Sequence, residues 1–349
     1  MKKFLALLLS AVMALGLLTA CGNNDTPSAD GENSGNASTE AIKLKIAHGA
    51  SESYHLHRAV LKFKEYVEGT GLFSVEIYPN QQFGSDDEMI EGVQTGDLTF
   101  CISPSSFLAD MNPMMSLIEL PYIFPSREAA VATLRGEWGQ EALDSLDDIG
   151  LHGINFMENG VRNVTNSKHE IRVPADMKGL KMRTMQVPAH VNYWNSLGCS
   201  AEGSAFSELY TNLSTGVFDG EENPIAHIYA NKFYEVQPYI SITEHVYCAY
   251  IPLCTTDFWN SLNDEQKTVL EEGFEIAYNA QMEMVENETA DQLKEMEDYG
   301  CTVIYLTDDE KALWIESAQP ILQQYHDSVG DEIYNGFETA IAEAAASLK

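Results

Sequence analysis

The sequence predicts an α/β protein of two doubly wound halves, and three observations carry that expectation. A strand–helix–strand–helix–strand rhythm fills residues 42–103, the pattern of a parallel sheet covered by helices. The rhythm returns over residues 151–222. Finally, the stretch from Asp264 to Tyr299 has no proline and a single glycine, Gly273, among strong helix formers. At about 1.5 Å per residue such a helix is roughly 54 Å long, enough to brace two domains at once. The length of 349 residues agrees, since domains average roughly 150 residues.

Taken in order, Ile42-Lys43-Leu44-Lys45-Ile46 alternates strictly and reads as a strand ending at His48-Gly49. Leu56, Val60, Phe63 and Val67 share one helical face, which Gly69 and Gly71 stop. Phe73 to Tyr78 is a second strand. Ser85 and Glu88 have capping-box spacing and open a helix that Gly96 closes. Leu98 to Ser103 is a third strand, terminated before Pro104. The second series places strands near 151–156, 180–185 and 217–222, with helices near 188–197 and 206–215. Tyr239 to Thr255 is a β-type run long enough to pass between the domains. After the long helix, Thr307-x-x-Glu310 caps another helix before Pro320, and Gly330 separates a last one.

The N-terminus reads as an address. Lys2 and Lys3 precede an apolar run from Phe4 to Leu18, too short and too one-sided in its flanks for a spanning helix, so residues 1–20 read as a signal peptide. Leu18-Thr19-Ala20-Cys21 looks like the lipobox of bacterial lipoproteins, with cleavage before Cys21 and a lipid on its sulfur. The alternative is a plain secretory signal followed by a chance cysteine. Residues 22–40 hold no large apolar side chain, the composition of a flexible tether. The expected location is therefore extracytoplasmic, anchored on the outer face of the cell membrane.

Acidic residues outnumber basic ones 53 to 20, a net charge of −33, which disfavours nucleic acid and anionic lipid as partners. Hydrophobic content of 44% excludes wholesale disorder. Past Cys21 the cysteines are Cys101, Cys199, Cys248, Cys254 and Cys301, with no C-x-x-C among them. They read as small buried hydrophobes, with a Cys248–Cys254 bridge as the alternative.

Of six arginines, Arg58, Arg127, Arg135 and Arg172 suit surface pairing with carboxylates. Arg183 differs, because it sits inside the apolar strand Leu180-Lys181-Met182-Arg183-Thr184-Met185, which closes a β-unit. Open α/β folds place ligands at such strand ends, and a guanidinium there can fork onto a carboxylate. Asp219-Gly220-Glu221-Glu222-Asn223-Pro224 gathers polar groups between a strand and a helix. Asn223 precedes proline and so is held out of helical geometry, free to point across a cleft; Glu221 reads as a solvated turn acid. His55-x-His57 lies on a helix, where i,i+2 side chains diverge. No nucleophile elbow, zinc-helix motif, P-loop or dinucleotide fingerprint occurs. Nothing points to a metal, a cofactor or catalysis, and weight shifts to binding.

Several stretches together are more specific: Ile77-Tyr78-Pro79 through Phe83-Gly84, Glu91-Gly92-Val93-Gln94-Thr95-Gly96, Leu120-Pro121-Tyr122, and Asn159-Gly160-Val161-Arg162. Pro174 through Arg183, Ala205-Phe206-Ser207-Glu208-Leu209-Tyr210, Gly220 through Pro224, and Phe233-Tyr234-Glu235-Val236 follow. In this order the chain resembles, over residues 42–306, the solute-binding proteins of tripartite ATP-independent periplasmic (TRAP) transporters, the dicarboxylate-receptor (DctP) type.

The resemblance implies two α/β domains joined by hinge strands and a long bracing helix, with ligand in the cleft between them. Domain I would comprise 41–159 plus about 249–288, and domain II 160–248 plus about 289–349 with the C-terminal helices. It further implies that Arg183 binds the ligand carboxylate, that Arg162 and Asn223 assist, and that Phe206 packs on the ligand. Glu222 and His245 would form a polar network beneath. From domain I, alignment offers His48, Gly49, Asp86, Ser103 and Ser105. Gln186 joins the expected contacts, within a Met185-Gln186-x-Pro188-x-His190 variant shared by dicarboxylate and sugar-acid receptors. Sialic-acid binders carry an acid near Pro104 and an asparagine near Gly49, so sialic acid is not expected.

The expected function is thus capture of a small organic acid, a sugar acid or C4-dicarboxylate, and its delivery to a TRAP permease. Two arginines left unpaired in the closing cleft would disfavour closure without ligand. The alternatives are a receptor of an ATP-driven importer, against which the long helix and the 205–224 stretch argue, and a surface hydrolase of sugar acids using Glu222 and His245.

Overall fold

The computed structural model describes residues 41–349. The signal segment, Cys21 and the tether at 21–40 lie outside the described residues. The first half opens with β1 (Ile42–His48), α1 (His55–Gly69), β2 (Phe73–Tyr78), α2 (Asp86–Thr95) and β3 (Phe100–Pro104). Three short helices follow, α3 (Met115–Ile118), α4 (Arg127–Leu134) and α5 (Glu137–Asp144), before β4 (Leu151–Gly153) and β5 (Met157–Asn166). The second half holds β6 (Lys181–Thr184), α6 (Pro188–Ser196), β7 (Ser200–Gly203), α7 (Leu209–Ser214), β8 (Gly220–Pro224) and α8 (Ile225–Ala230). Then come β9 (Tyr239–Thr255), α9 (Thr256–Ser261), α10 (Asp264–Tyr299), β10 (Thr302–Tyr305), α11 (Asp308–Val329) and α12 (Asp331–Ser347).

The strands form one sheet in the order β2-β1-β3-β9-β5-β8-β6-β7, with β10 and β4 also pairing with β9. Pairing is parallel at both ends, β1 with β2 and β3, and β6 with β7 and β8. In the middle β9 runs antiparallel to β3 and β5, and β5 antiparallel to β8. Two parallel α/β halves therefore share two long antiparallel strands. The 17-residue β9 touches both: its last residues pair with β3 and β4, its first with β10.

β5 is a strand that the sequence does not advertise. Met157-Glu158-Asn159-Gly160-Val161-Arg162-Asn163-Val164-Thr165-Asn166 carries an Asn-Gly pair and three asparagines, turn chemistry by propensity. Its register against β9 shifts between Glu158 and Gly160 and again between Arg162 and Val164. At the second shift Arg162 faces Val246 while Val164 faces Ser241, so β9 loops out over residues 242–245. Glu244 sits there in the left-handed region at φ 48°. Lys311 of α11 ties the loop down, its Nζ donating to the Thr243 carbonyl at 2.7 Å and to Glu244 Oε2 at 2.9 Å.

The helices follow the sequence more closely. Both predicted capping boxes, at Ser85 and Thr307, are made in full. α10 spans all 36 residues of the proline-free stretch. Its glycine has a packing reason: a Cβ on Gly273 would lie 2.8 Å from Val67 and 2.9 Å from Phe63 of α1. The next residue, Phe274, stacks on Phe63 with ring centroids 4.1 Å apart. Leu270, Phe274 and Ala277 thus belong to the core of the first half, whereas Met296 packs with Leu209, Ile228 and Phe233 in the second. Two expectations need correction. α11 does not stop at Pro320 but runs through it to Val329; burial of Ala318, Ile321 and Leu322 around it offsets a helix-interior proline cost of about 3 kcal/mol. The possible Cys248–Cys254 bridge is absent, and Cys101, Cys199, Cys248, Cys254 and Cys301 are all free. Cys248 and Cys254 lie on the same strand β9, about 20 Å apart at 3.3 Å per residue. α12 packs back on the first half, Phe337 against Trp138 at 4.2 Å.

Candidate functional site

A cavity of about 30 Å³ opens where the two halves meet, lined by Gly49, Gln81 and Asp86 from the first half and Arg183, Gln186 and Phe206 from the second, with Arg162 and Asn223 between them. It lies at the carboxyl ends of β1, β2 and β6, where parallel sheets of this type take ligands. A larger cavity of about 650 Å³ lies behind β5, lined by Val161, Asn163, His245 and residues of α10 and α11. The cations there are already paired, Arg127 with Glu158 and Lys311 with Glu244, and none of its lining residues has a buried polar atom without a partner. The smaller cavity has three such atoms: Arg183 Nη1, Ser204 Oγ and His227 Nδ1.

Arg183 lies one residue before the end of β6, almost fully buried. Its Nε and Nη2 donate to the Ser204 carbonyl at 3.1 and 2.5 Å, which leaves Nη1 without a partner. Phe206 lies under the guanidinium, 5.9 Å from ring centroid to Cζ. Burial, reinforced by Arg162, pulls the Arg183 pKa down to about 10. The charge is still present at neutral pH, but no carboxylate bonds to it.

Arg162, on β5, is in the opposite situation. Its Nε donates to Glu222 Oε2 at 2.5 Å and its Nη2 to Glu222 Oε1 at 3.0 Å, with a further bond to the Glu222 carbonyl. Thr184 Oγ1 and His245 Nε2 complete the carboxylate at 2.9 and 3.1 Å. Burial opposes ionisation of Glu222, but Arg162 and His245 outweigh it and hold the carboxyl well below its usual range. Burial also keeps His245 neutral, with its pKa down to about 4 despite Glu222; Thr243 Oγ1 bonds its Nδ1 at 2.9 Å. The expectation of two unpaired arginines is therefore corrected to one, because Glu222 neutralises Arg162. Glu222 and His245 do not line the cavity, and with four donors on it the Glu222 carboxylate is not placed to act on a substrate.

Asn223 follows on β8, its Nδ2 donating to Glu221 Oε2 at 2.5 Å. Glu221 is the second correction: it is fully buried, not a solvated turn acid. Thr165 Oγ1 donates to its other oxygen at 2.6 Å. Burial pushes its pKa up to about 7 against these bonds.

On the first half, Asp86 opens α2 and faces the cavity, with burial raising its pKa to about 6. Gln81 Nε2 donates to Asp86 Oδ2 at 3.1 Å, and its Oε1 accepts from the Ser207 backbone N–H at 2.9 Å. One side chain thus spans the cleft. Gln81 and the preceding Asn80 both have positive φ, 53° and 58°, a strained turn that aims the amide inward. The other expected contacts of the first half lie off the cavity, apart from Gly49. His48 is buried against His57 at 3.2 Å, Ser103 lies beneath Asp86, and Ser105 Oγ donates to Glu119 Oε1 at 2.8 Å.

Gln81, His227 and Tyr250 are lining residues that sequence reasoning missed. His227 stacks on Tyr54 at 3.7 Å and its Nε2 meets the Tyr250 hydroxyl at 3.0 Å. The available signals were positional: Gln81 follows the end of β2, and His227 lies four residues past Asn223. Of the remaining arginines, Arg58, Arg135 and Arg172 pair at the surface as expected, with Glu288, Glu275 and Glu310, whereas Arg127 pairs with Glu158, a buried carboxylate of β5. Among the described residues no cluster of three or more His, Cys, Asp or Glu could hold a metal, and no helix is long and apolar enough to cross a membrane.

Residues 46–328 match the sequence model of DctP, described as bacterial extracellular solute-binding protein, family 7. The C4-dicarboxylate-binding protein DctB of Bacillus subtilis is 31% identical over 84% of this chain and 85% of its own. The sugar acid binding protein DctPAm of Advenella mimigardefordensis, solved with galactonate, superposes with a TM-score of 0.83 at 29% identity, covering 87% of this chain and 99% of that one. A TRAP periplasmic solute-binding protein of Shewanella oneidensis, solved with succinate, gives 0.82 at 26% identity, covering 86% and 99%.

Proposed function

This chain belongs to the DctP family, bacterial extracellular solute-binding protein family 7, whose members are receptors of TRAP transporters, and from that premise we propose that Arg183 is its carboxylate clamp. The observation that carries the reading is Arg183 Nη1, a buried cationic donor without a partner at the wall of the cleft. A ligand carboxylate there replaces its water shell with a guanidinium already fixed by Ser204. Charge-assisted bonds of this kind are about twice as strong as neutral ones. Arg162, held rigid by Glu222, and the amides of Asn223 and Gln186 complete the anion site, and Phe206 supplies an apolar floor.

Closure of the halves over the ligand is the signal to the membrane permease. The division into 41–159 with about 249–288, and 160–248 with about 289–349, is our reading of which segments move together; shared β9 and α10 are the elements that bend. The lipobox-like Leu18-Thr19-Ala20-Cys21 supports anchoring through a lipid on Cys21, and Cys21→Ser should then release the protein from the membrane fraction.

A thermal-shift series with sugar acids and C4-dicarboxylates tests the clamp. A ligand at a thousand times its Kd stabilises the fold by about 4 kcal/mol. That shift should vanish in Arg183→Ala and should not be restored by Arg183→Lys, which lacks the fork. An equal shift in Arg183→Ala would remove Arg183 from the binding role.

A further inference from the structure

We infer that the cleft selects a hydroxylated monocarboxylate, of the sugar-acid class, over a C4-dicarboxylate, with Asp86 as the specificity-determining residue. The inference rests on Arg183 being the carboxylate clamp and adds what meets the other end of the ligand.

The charges around the cavity carry the argument. Arg162 is cancelled by Glu222. His227, held neutral by burial and by the cations nearby, contributes none. Arg183 is then the one cation of the lining that lacks a carboxylate partner, and Asp86 is the one carboxylate. Glu221 and Glu119, buried within charge range of Arg183 and Arg162, add no positive charge. Such a wall offers one cationic partner to a ligand carboxylate and none to a second. A second ligand carboxylate would sit unpaired out of water, beside Asp86, and like charges this close disfavour joint ionisation.

What Asp86 does suit is a hydroxyl. An aspartate at the first turn of α2 is an acceptor. Gln81 Nε2 occupies Oδ2 and fixes the carboxyl plane, while the Gln81 Oε1 bond to Ser207 N fixes which way the amide faces. Gln186 lines the same space with an amide that both donates and accepts, and Asn223, whose Nδ2 also bonds Glu221, adds a carbonyl oxygen, a fit to further hydroxyls along a polyol chain. With an unpaired polar group left behind by the wrong ligand, discrimination of tenfold or more is ordinary.

Isothermal titration at pH 7.5 with galactonate and gluconate against succinate and fumarate decides it. At least one hydroxylated monocarboxylate should bind tenfold or more tightly than either dicarboxylate. Asp86→Asn, checked for folding by circular dichroism, should shrink that ratio at least tenfold, weakening the hydroxy acid and admitting succinate. The wild-type ratio stands even if the variant does not fold. Succinate or fumarate binding as tightly as the hydroxy acids, and lost in Arg183→Ala, would overturn the selectivity and leave the clamp intact. Binding unaffected by Arg183→Ala, or none from any of the four, would take down the clamp and this inference with it.

Discussion

Replacing Glu222 by glutamine should expose how much of the site rests on one carboxylate. Both Glu222 and Arg162 have side chains about 1% exposed, 2.5 Å apart. Four donors converge on the carboxylate: two from Arg162, one from Thr184 and one from His245. Glutamine keeps a single acceptor oxygen and turns an NH₂ toward other donors, so the Arg162 charge is left uncompensated out of water. Removing one partner of a buried pair costs about 3–5 kcal/mol. At roughly 2 °C per kcal/mol for a chain this long, Tm should fall by about 6–10 °C. Thermal unfolding followed by circular dichroism, in a buffer free of carboxylates, measures it. Adding a saturating carboxylate ligand should then raise Tm more in the variant than in the wild type, since the ligand supplies part of the missing charge. A loss smaller than about 2 °C would show that Arg162 does not depend on Glu222, and would undo the reasoning that leaves Arg183 as the only unpaired cation of the cavity wall.

Two other outcomes follow from neighbouring residues. The Glu221 pKa is raised to about 7 in the fold from an ordinary 4.5, so its contribution to stability is complete below about 4.5 and is lost as pH rises through 7. The loss approaches roughly 3 kcal/mol. Glu221→Gln keeps a proton donor for the Thr165 hydroxyl, which can turn to Gln237, and should erase that decline when urea unfolding is compared at pH 5 and pH 8; identical pH dependence in both proteins contradicts it. Gly220→Ala would put a Cβ 2.5 Å from the Thr165 carbonyl oxygen and 2.8 Å from Met182 Sδ. Forcing β8 off its neighbours should cost about 1–3 kcal/mol and weaken ligand binding together with Tm, because Glu222 and Asn223 ride on the same strand; an unchanged Tm would show that the strand pair is looser than it looks.

Local signals read well where backbone chemistry is self-contained. The capping boxes at Ser85 and Thr307 and the limits of α10 need only neighbours within a turn or the absence of breakers, and both are visible in the chain. The place of Arg183 at the cavity wall was legible because a lone arginine sits inside an apolar strand. β5 was not, since its polar side chains are satisfied from far away: Glu158 by Arg127 and Tyr247, Asn159 by Tyr54, Asn163 by the Glu244 backbone. A strand buried on both faces by long-range partners carries no alternation to detect. Glu221 misled for the same reason, its burial depending on Thr165 across the β5–β8 pair. Gln81 was hidden by a left-handed turn that no periodicity encodes.

The position of β9 in the sheet has a consequence for how the protein is made. Leu44, Phe63 and Phe100 share their core with Trp259, Leu270 and Phe274, and β3 finds its inner neighbour only at Tyr250–Leu253. The opening hundred residues therefore leave the ribosome with an unpaired strand edge and half a core. At 5–20 residues per second, their partners are on the order of ten to thirty seconds behind. A fragment of this chain that ends before β9 is therefore expected to stay unfolded, because the partners of its open strand edge and of its half-core are not yet made.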